Sequence, residues 1–150
     1  MEHGITPVKN IFAILLAACV LLSMSMVHAD EQRIVIVASA ESGIKAISAQ
    51  EVRRAYLGAT IVLDGVELKP LLNQTDKLAG EVFLQKVLFM SAEAYERQLL
   101  ARAFRGGSSP KAYQNLAALL AALQSDNATI TFMLYGTAMT TPGIRIIGNL

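Results

Sequence analysis

The feature that most limits what this chain can become is its apolar run Ile11–Leu22. The run is twelve residues long, whereas a helix needs about 20 apolar residues to cross a bilayer. Lys9 stands before it, and the polar stretch Ser23-Met-Ser-Met26 leads from it to Val27-His28-Ala29. A positive start, a short apolar segment and a small-residue exit compose a cleavable secretory signal. Residues 1–29 are therefore expected to be removed, and residues 30–150 to fold in the periplasm or outside the cell. Two other routes stay open. Leu16-Ala-Ala-Cys19 is similar to a lipobox, in which Cys19 would be lipidated and anchor the chain. The leader could also remain as an uncleaved anchor.

Without the leader, the composition reads differently. The full chain is 53% hydrophobic, but much of that excess lies in the first 29 residues. The 121 residues that follow Ala29 suffice for one core and not for two lobes with separate cores. They carry 12 basic and 11 acidic side chains, in runs of no more than two. That excludes the basic stripe of a nucleic-acid binder and the basic helix of a membrane-surface protein. His3, Cys19 and His28 all precede Asp30, and the chain has no Trp. The expected mature part thus lacks both His and Cys. It cannot form an internal disulfide, a Cys/His zinc site or a Ser-His-Asp or Cys-His catalytic system. No phosphate-cradling P-loop, dinucleotide fingerprint or metal-ligand cluster is present in the sequence. No catalytic residue, metal or cofactor is predicted. Glu93 and Glu96 share a helix, but their spacing alone does not make an acid–base pair.

The local patterns predict an α/β domain, a mixed β-sheet packed with helices. Arg33–Ala38 is a continuous β-branched run, the mark of a buried central strand. Ser48-Ala-Gln-Glu51 is a capping box that opens a short helix ending at Gly58. Asp64-Gly65 joins Thr60–Leu63 to Val66–Leu68 as a hairpin, and Pro70–Asn73 is a further strand. Helices are predicted over Asp76–Met90, from Ser91 to Phe104, and from Tyr113 to Gln124. Ala128–Leu134 and Ile144–Ile147 are strands, with a turn-rich stretch, Gly136–Gly143, between them.

These pieces, in this order, resemble the small single-domain members of the phosphate ABC transporter substrate-binding proteins (periplasmic binding protein-like, type 2). The resemblance runs through nearly all of residues 30–150. It rests on the strand and loop Ile34–Ser39, the helix end Glu51-Val-Arg-Arg-Ala-Tyr-Leu-Gly58, and the Gly-containing hairpin. It continues with the Leu-Leu-Asn-Gln74 strand end, the Phe83 helix, and the loop Phe104-Arg-Gly-Gly-Ser-Ser-Pro110. The chain departs from the pattern at Thr75-Asp76, where the family carries a Ser-bearing turn, and at Asn127–Met133, in place of a Gly-rich strand. The resemblance implies a single binding-protein lobe, non-enzymatic, that contacts a small oxyanion such as phosphate. The departures keep a second reading open: an envelope accessory protein that docks a transporter or other partner protein and no longer binds solute.

An oxyanion would be held by backbone N–H groups and hydroxyls, which nominates three stretches. Ser39, Ser42 and Gly43 follow the first strand, at the edge where α/β sheets usually bind ligands. A solvated connector is the plainer reading of that loop. Thr75 precedes a helix and would either cap it or touch ligand. Arg105, Ser108 and Ser109 would form an arginine-assisted anion nest. They would otherwise be a plain interhelical loop whose Pro110 starts the next helix. Arg53-Arg54 reads as a solvated helix face.

Overall fold

All six residues of the first strand, β1 (Ile34–Ser39), are buried, so the strand needs apolar cover on both sides. Side chains alternate across a strand, and the alternation divides the core in two. Ile34, Ile36 and Ala38 face one cluster, with Val52, Tyr56, Phe83, Leu88, Tyr95, Ile130 and Phe132. Val35 and Val37 face the other, with Leu71, Leu119, Leu123, Met133 and Ala138. The computed structural model describes residues 32–150. The leader, with the Ala29 cleavage position and Cys19, lies outside them.

After β1 the chain forms α1 (Ala49–Tyr56), the hairpin strands β2 (Val62–Leu63) and β3 (Val66–Glu67), and β4 (Lys69–Asn73). Next come α2 (Lys77–Phe83), which runs on into one π-helical turn (Leu84–Leu88), α3 (Ala92–Phe104) and β5 (Lys111–Tyr113). The last elements are α4 (Leu116–Ser125), β6 (Thr129–Leu134), α5 (Tyr135–Thr140) and β7 (Ile144–Asn149). Five strands make one sheet in the order β5-β4-β6-β1-β7. β4 is parallel to β5 and to β6, while β1 is antiparallel to both of its neighbours, β6 and β7. β1 thus runs against the other four strands. The first side of the sheet carries α1, α2 and α3, and the second carries α4 and α5. Among the described residues, no helix is long and apolar enough to cross a membrane.

Local chemistry explains most boundaries. The Ser48 hydroxyl accepts from the Glu51 N–H, and the Glu51 carboxylate accepts from the Ser48 N–H at 2.8 Å, closing the capping box. The Ser48 hydroxyl, which also donates to the Glu51 carboxylate at 2.6 Å, and then the Ser48 N–H hold the Glu51 carboxyl below the usual carboxylate range. Asp64 (φ 50°) and Gly65 (φ 79°) form the tight turn of the hairpin, the geometry that two-residue hairpin loops require. In the core, Phe83 stacks on Phe132 at 3.9 Å and meets the Tyr56 ring edge-on at 4.7 Å. The Tyr56 hydroxyl donates to the Leu71 carbonyl at 2.8 Å, and the Tyr95 hydroxyl donates to the Tyr56 carbonyl at 3.1 Å. Burial pushes the Tyr95 phenol up to about 12.

Three expectations are corrected. The helix predicted from Tyr113 begins at Leu116, where Asn115 caps it by accepting from the Ala118 N–H. Lys111–Tyr113 is instead a short edge strand paired to Leu71–Asn73, so Pro110 precedes a strand and starts no helix. The helix predicted over Asp76–Met90 stays α-helical only to Phe83. It then widens into the π turn and stops at Phe89, whose φ of 56° is left-handed. The turn-rich stretch before the last strand contains α5, which packs Ala138 onto the second side of the sheet.

Candidate functional site

The direction of β1 decides where its loop goes. Ala38 pairs with Ile130 and Lys69 pairs with Thr129, so Ser39 lies beside the starts of β4 and β6. The Ser39–Gly43 loop therefore occupies the amino-end edge of the parallel strands, opposite the carboxyl-end edge that the sequence suggested. Ser39 and Ser42 are buried. The Ser42 hydroxyl donates to the Asn127 carbonyl at 2.7 Å, and its own carbonyl accepts from Arg145 at 2.8 Å. Gly43 is exposed, with open space around it.

Thr75 lies at the other edge, beyond the end of β4. Its N–H and its hydroxyl both donate to the Asn73 side-chain carbonyl, at 3.0 and 2.7 Å. The Asn73 amide donates in turn to the Phe132 carbonyl at 2.9 Å. The cap of α2 is Asp76, which accepts from the Ala79 N–H at 3.1 Å. Thr75 is therefore tied to the strand rather than capping the helix.

The third stretch opens onto a cavity. Ser108 and Ser109 line a space of about 410 Å³ at the amino-end edge of β4 and β5, and Arg105 does not line it. Arg105 is exposed, and its N–H donates to the Arg102 carbonyl as α3 ends. The structure thus distributes the seven sequence candidates over three places and brings only Ser108 and Ser109 to a concave surface with cationic neighbours.

Those neighbours are Arg102, Lys111 and Lys69. Arg102 comes from the last turn of α3 and lies against two glycines. A Cβ at Gly58 would sit 1.9 Å from its Nη1, and a Cβ at Gly107 would sit 2.6 Å from its Cγ. Gly58 also has φ +102°, a conformation that L side chains rarely adopt. The two glycines therefore make the slot that Arg102 fills. Lys111 begins β5, with its ammonium 5.1 Å from the centre of the Tyr113 ring. Among the described residues, the side chains of Arg102, Ser108 and Ser109 make no hydrogen bond or ion pair, and Lys111 makes none beyond its ring contact. Lys69 differs: its Nζ is 2.7 Å from an Asp126 carboxylate oxygen, and that bond raises the Lys69 pKa. Glu67 is the carboxylate on the lining.

Sequence reading overlooked Arg102 because it stands in a helix with the look of any solvated cation. The spacing of Gly58 and Gly107, far apart in the chain and joined only by the fold, was the missing signal. A second, smaller cavity of about 150 Å³ lies between α2, α3 and the sheet, with Phe83, Leu84, Leu99 and Phe132 on its walls. Among the described residues, no group of three or more His, Cys, Asp and Glu could hold a metal ion.

No protein-family model and no curated protein matches the chain. Solved structures do. An ABC-type phosphate transport receptor from Vibrio cholerae superposes with a TM-score of 0.55 at 8% identity, over 77% of this chain and 45% of the receptor. A possible phosphate binding protein from Planctomyces limnophilus superposes with a TM-score of 0.48 at 11% identity, over 77% of this chain and 40% of that protein. The chain spans less than half the length of either. Its fold is that of a single periplasmic-binding-protein-like lobe, a mixed five-stranded sheet packed with helices.

Proposed function

We propose that this solute-binding-like lobe is a non-enzymatic module that takes a small oxyanion such as phosphate in the basin of Arg102, Lys111, Ser108 and Ser109. The observation that carries the reading is Arg102 itself: a guanidinium set between two glycines, beside two hydroxyls and a second cation, with no carboxylate partner among the described residues. An anion placed there would gain charge-assisted hydrogen bonds from a planar fork of donors. The basin keeps two sequence candidates, Ser108 and Ser109, and adds two that the sequence did not nominate. The phosphate transport receptor that shares the fold supports the same ligand class. In this reading residues 1–29 direct the chain out of the cytosol and are removed, which mass spectrometry of the native amino terminus would check.

Calorimetric titration with phosphate and sulfate tests the binding. Saturable heat is expected, falling with added salt because the cations are partly exposed. R102A is expected to weaken the affinity by about tenfold or more, since hydrogen bonds to charged groups are the stronger ones. Absence of heat with both anions, or full affinity in R102A, would overturn the reading.

A further inference from the structure

The helix α3 carries apolar side chains on two faces, and the core uses one of them. Tyr95 and Leu99 pack on the first side of the sheet, and Arg102 fills the slot between the two glycines. At 3.6 residues per turn, Glu93, Glu96, Arg97, Leu100 and Phe104 fall together on the face turned away from these, and all five are exposed. Leu100 is 59% exposed and Phe104 90%. Side chains four positions apart on a helix are neighbours, so the two form one apolar patch at the middle and end of the stripe.

The charges around that patch indicate what fits it. The stripe begins with Glu93 and Glu96, and Arg105 stands just past its end. Among the described residues, neither Glu96 nor Arg105 forms an ion pair, and Arg105 takes no part in the anion basin. A second α3 laid antiparallel on the first would set the acidic start of each helix against the basic end of the other. With the two-fold axis between Leu100 and Ala101, Glu96 of each copy faces Arg105 of the other, and Arg97 of each faces the other's Phe104 ring, a pairing of cation with aromatic face. The two Leu100 side chains meet at the axis, and the helix dipoles oppose one another. One patch thus complements itself, as a two-fold interface requires. An anionic lipid surface fits less well, because its headgroups would meet Glu93 and Glu96.

We infer that the exposed stripe of α3 seats a second copy of this chain, antiparallel about a two-fold axis beside Leu100. The inference does not depend on the anion reading, since Arg102 lies on the other face of the helix. One helix from each copy makes a small interface, at or below roughly 1,200 Å² in all, so the dimer is expected to be reversible and to depend on concentration.

Sedimentation velocity of the purified protein, from micromolar to near-millimolar concentration, tests it. Phe104→Glu is expected to weaken self-association about tenfold or more, because it would bury an unpaired charge at the interface. Its urea unfolding is expected to be unchanged, since Phe104 is exposed. Glu96→Arg and Arg105→Glu are each expected to weaken the dimer, and the double variant to restore it. A monomer at every concentration, or a dimer that Phe104→Glu leaves intact, would overturn the inference. A double variant no better than the single ones would overturn the antiparallel pairing. A monomer that binds anionic vesicles through Phe104 would assign the stripe to a lipid surface instead and overturn the inference as well.

Discussion

Two polar clusters at opposite edges of the sheet are treated in opposite ways. At the carboxyl-end edge, Asn73 is buried and fully engaged: it donates to Phe132 and accepts twice from Thr75. At the amino-end edge, Arg102, Ser108 and Ser109 line an open cavity with their side chains unbonded to the rest of the described residues. The difference follows from solvation. A buried polar group left unmatched costs about 1–3 kcal/mol, so the fold must satisfy Asn73 internally. A half-exposed guanidinium or hydroxyl is served by water and can remain available at little cost. Asn73 and Thr75 therefore hold the fold at one edge, while Arg102, Ser108 and Ser109 at the other are free to hold something else.

The sharpest test of that contrast is Asn73→Ala. It leaves the Phe132 carbonyl without its side-chain donor and two Thr75 donors without an acceptor. The expected loss is about 2–4 kcal/mol, measured by urea unfolding, with phosphate affinity unchanged. A small stability loss accompanied by lost binding would move the ligand site to the carboxyl-end edge. Gly58→Ala comes next in size. The new Cβ meets Arg102 at 1.9 Å in a left-handed backbone, so about 1–3 kcal/mol of stability is expected to go, together with anion binding. Arg102→Ala inverts the Asn73 result. It is expected to change stability by less than about 1 kcal/mol, as surface substitutions do, while losing the anion. Comparable stability losses in Asn73→Ala and Arg102→Ala would erase the distinction between the edges.

What the sequence made legible, and what it hid, divides along the range of the interactions. β1, the Ser48–Glu51 capping box, the Asp64-Gly65 hairpin and the strand at Thr129–Leu134 are written in neighbouring residues, by β-branched runs, cap chemistry or turn residues. β5 is not: three residues with exposed Lys111 and Ala112 have no periodicity to read, and only their pairing to β4 makes them a strand. The direction of β1 is also a long-range property. It is fixed by pairing with β6 and β7, about a hundred residues away, and it carried the Ser39–Gly43 loop to the opposite edge from the one expected. Ser108 and Ser109 were legible as a Gly-rich polar loop beside an arginine. The arginine that lines the cavity with them is one turn earlier, because Gly107 and Gly58 meet around Arg102 and not around Arg105.

Lys69 lines the same basin but is already paired, so it offers the finest test of the contrast between spent and free groups. Its ammonium is 2.7 Å from Asp126, and both side chains are substantially exposed, at 61% and 37%. The Lys69 hydrogen bond, and then the Ala128 N–H, hold the Asp126 carboxyl below the usual carboxylate range. A carboxyl depressed in the folded state adds stability above its unfolded pKa of about 4, and that contribution fades as pH falls through the folded value. Salt and solvent screen an exposed pair, so the acid-side loss is expected to be shallow and shallower still in high salt. Lys69→Met is expected to remove much of that slope, the Ala128 bond preserving the rest. Because Asp126 offsets the charge of Lys69, the same variant is expected to weaken phosphate binding far less than Arg102→Ala. An equal loss of affinity in the two variants would mean that a paired cation serves the ligand as well as an unpaired one. The absence of a carboxylate partner would then no longer mark Arg102 as the anchor.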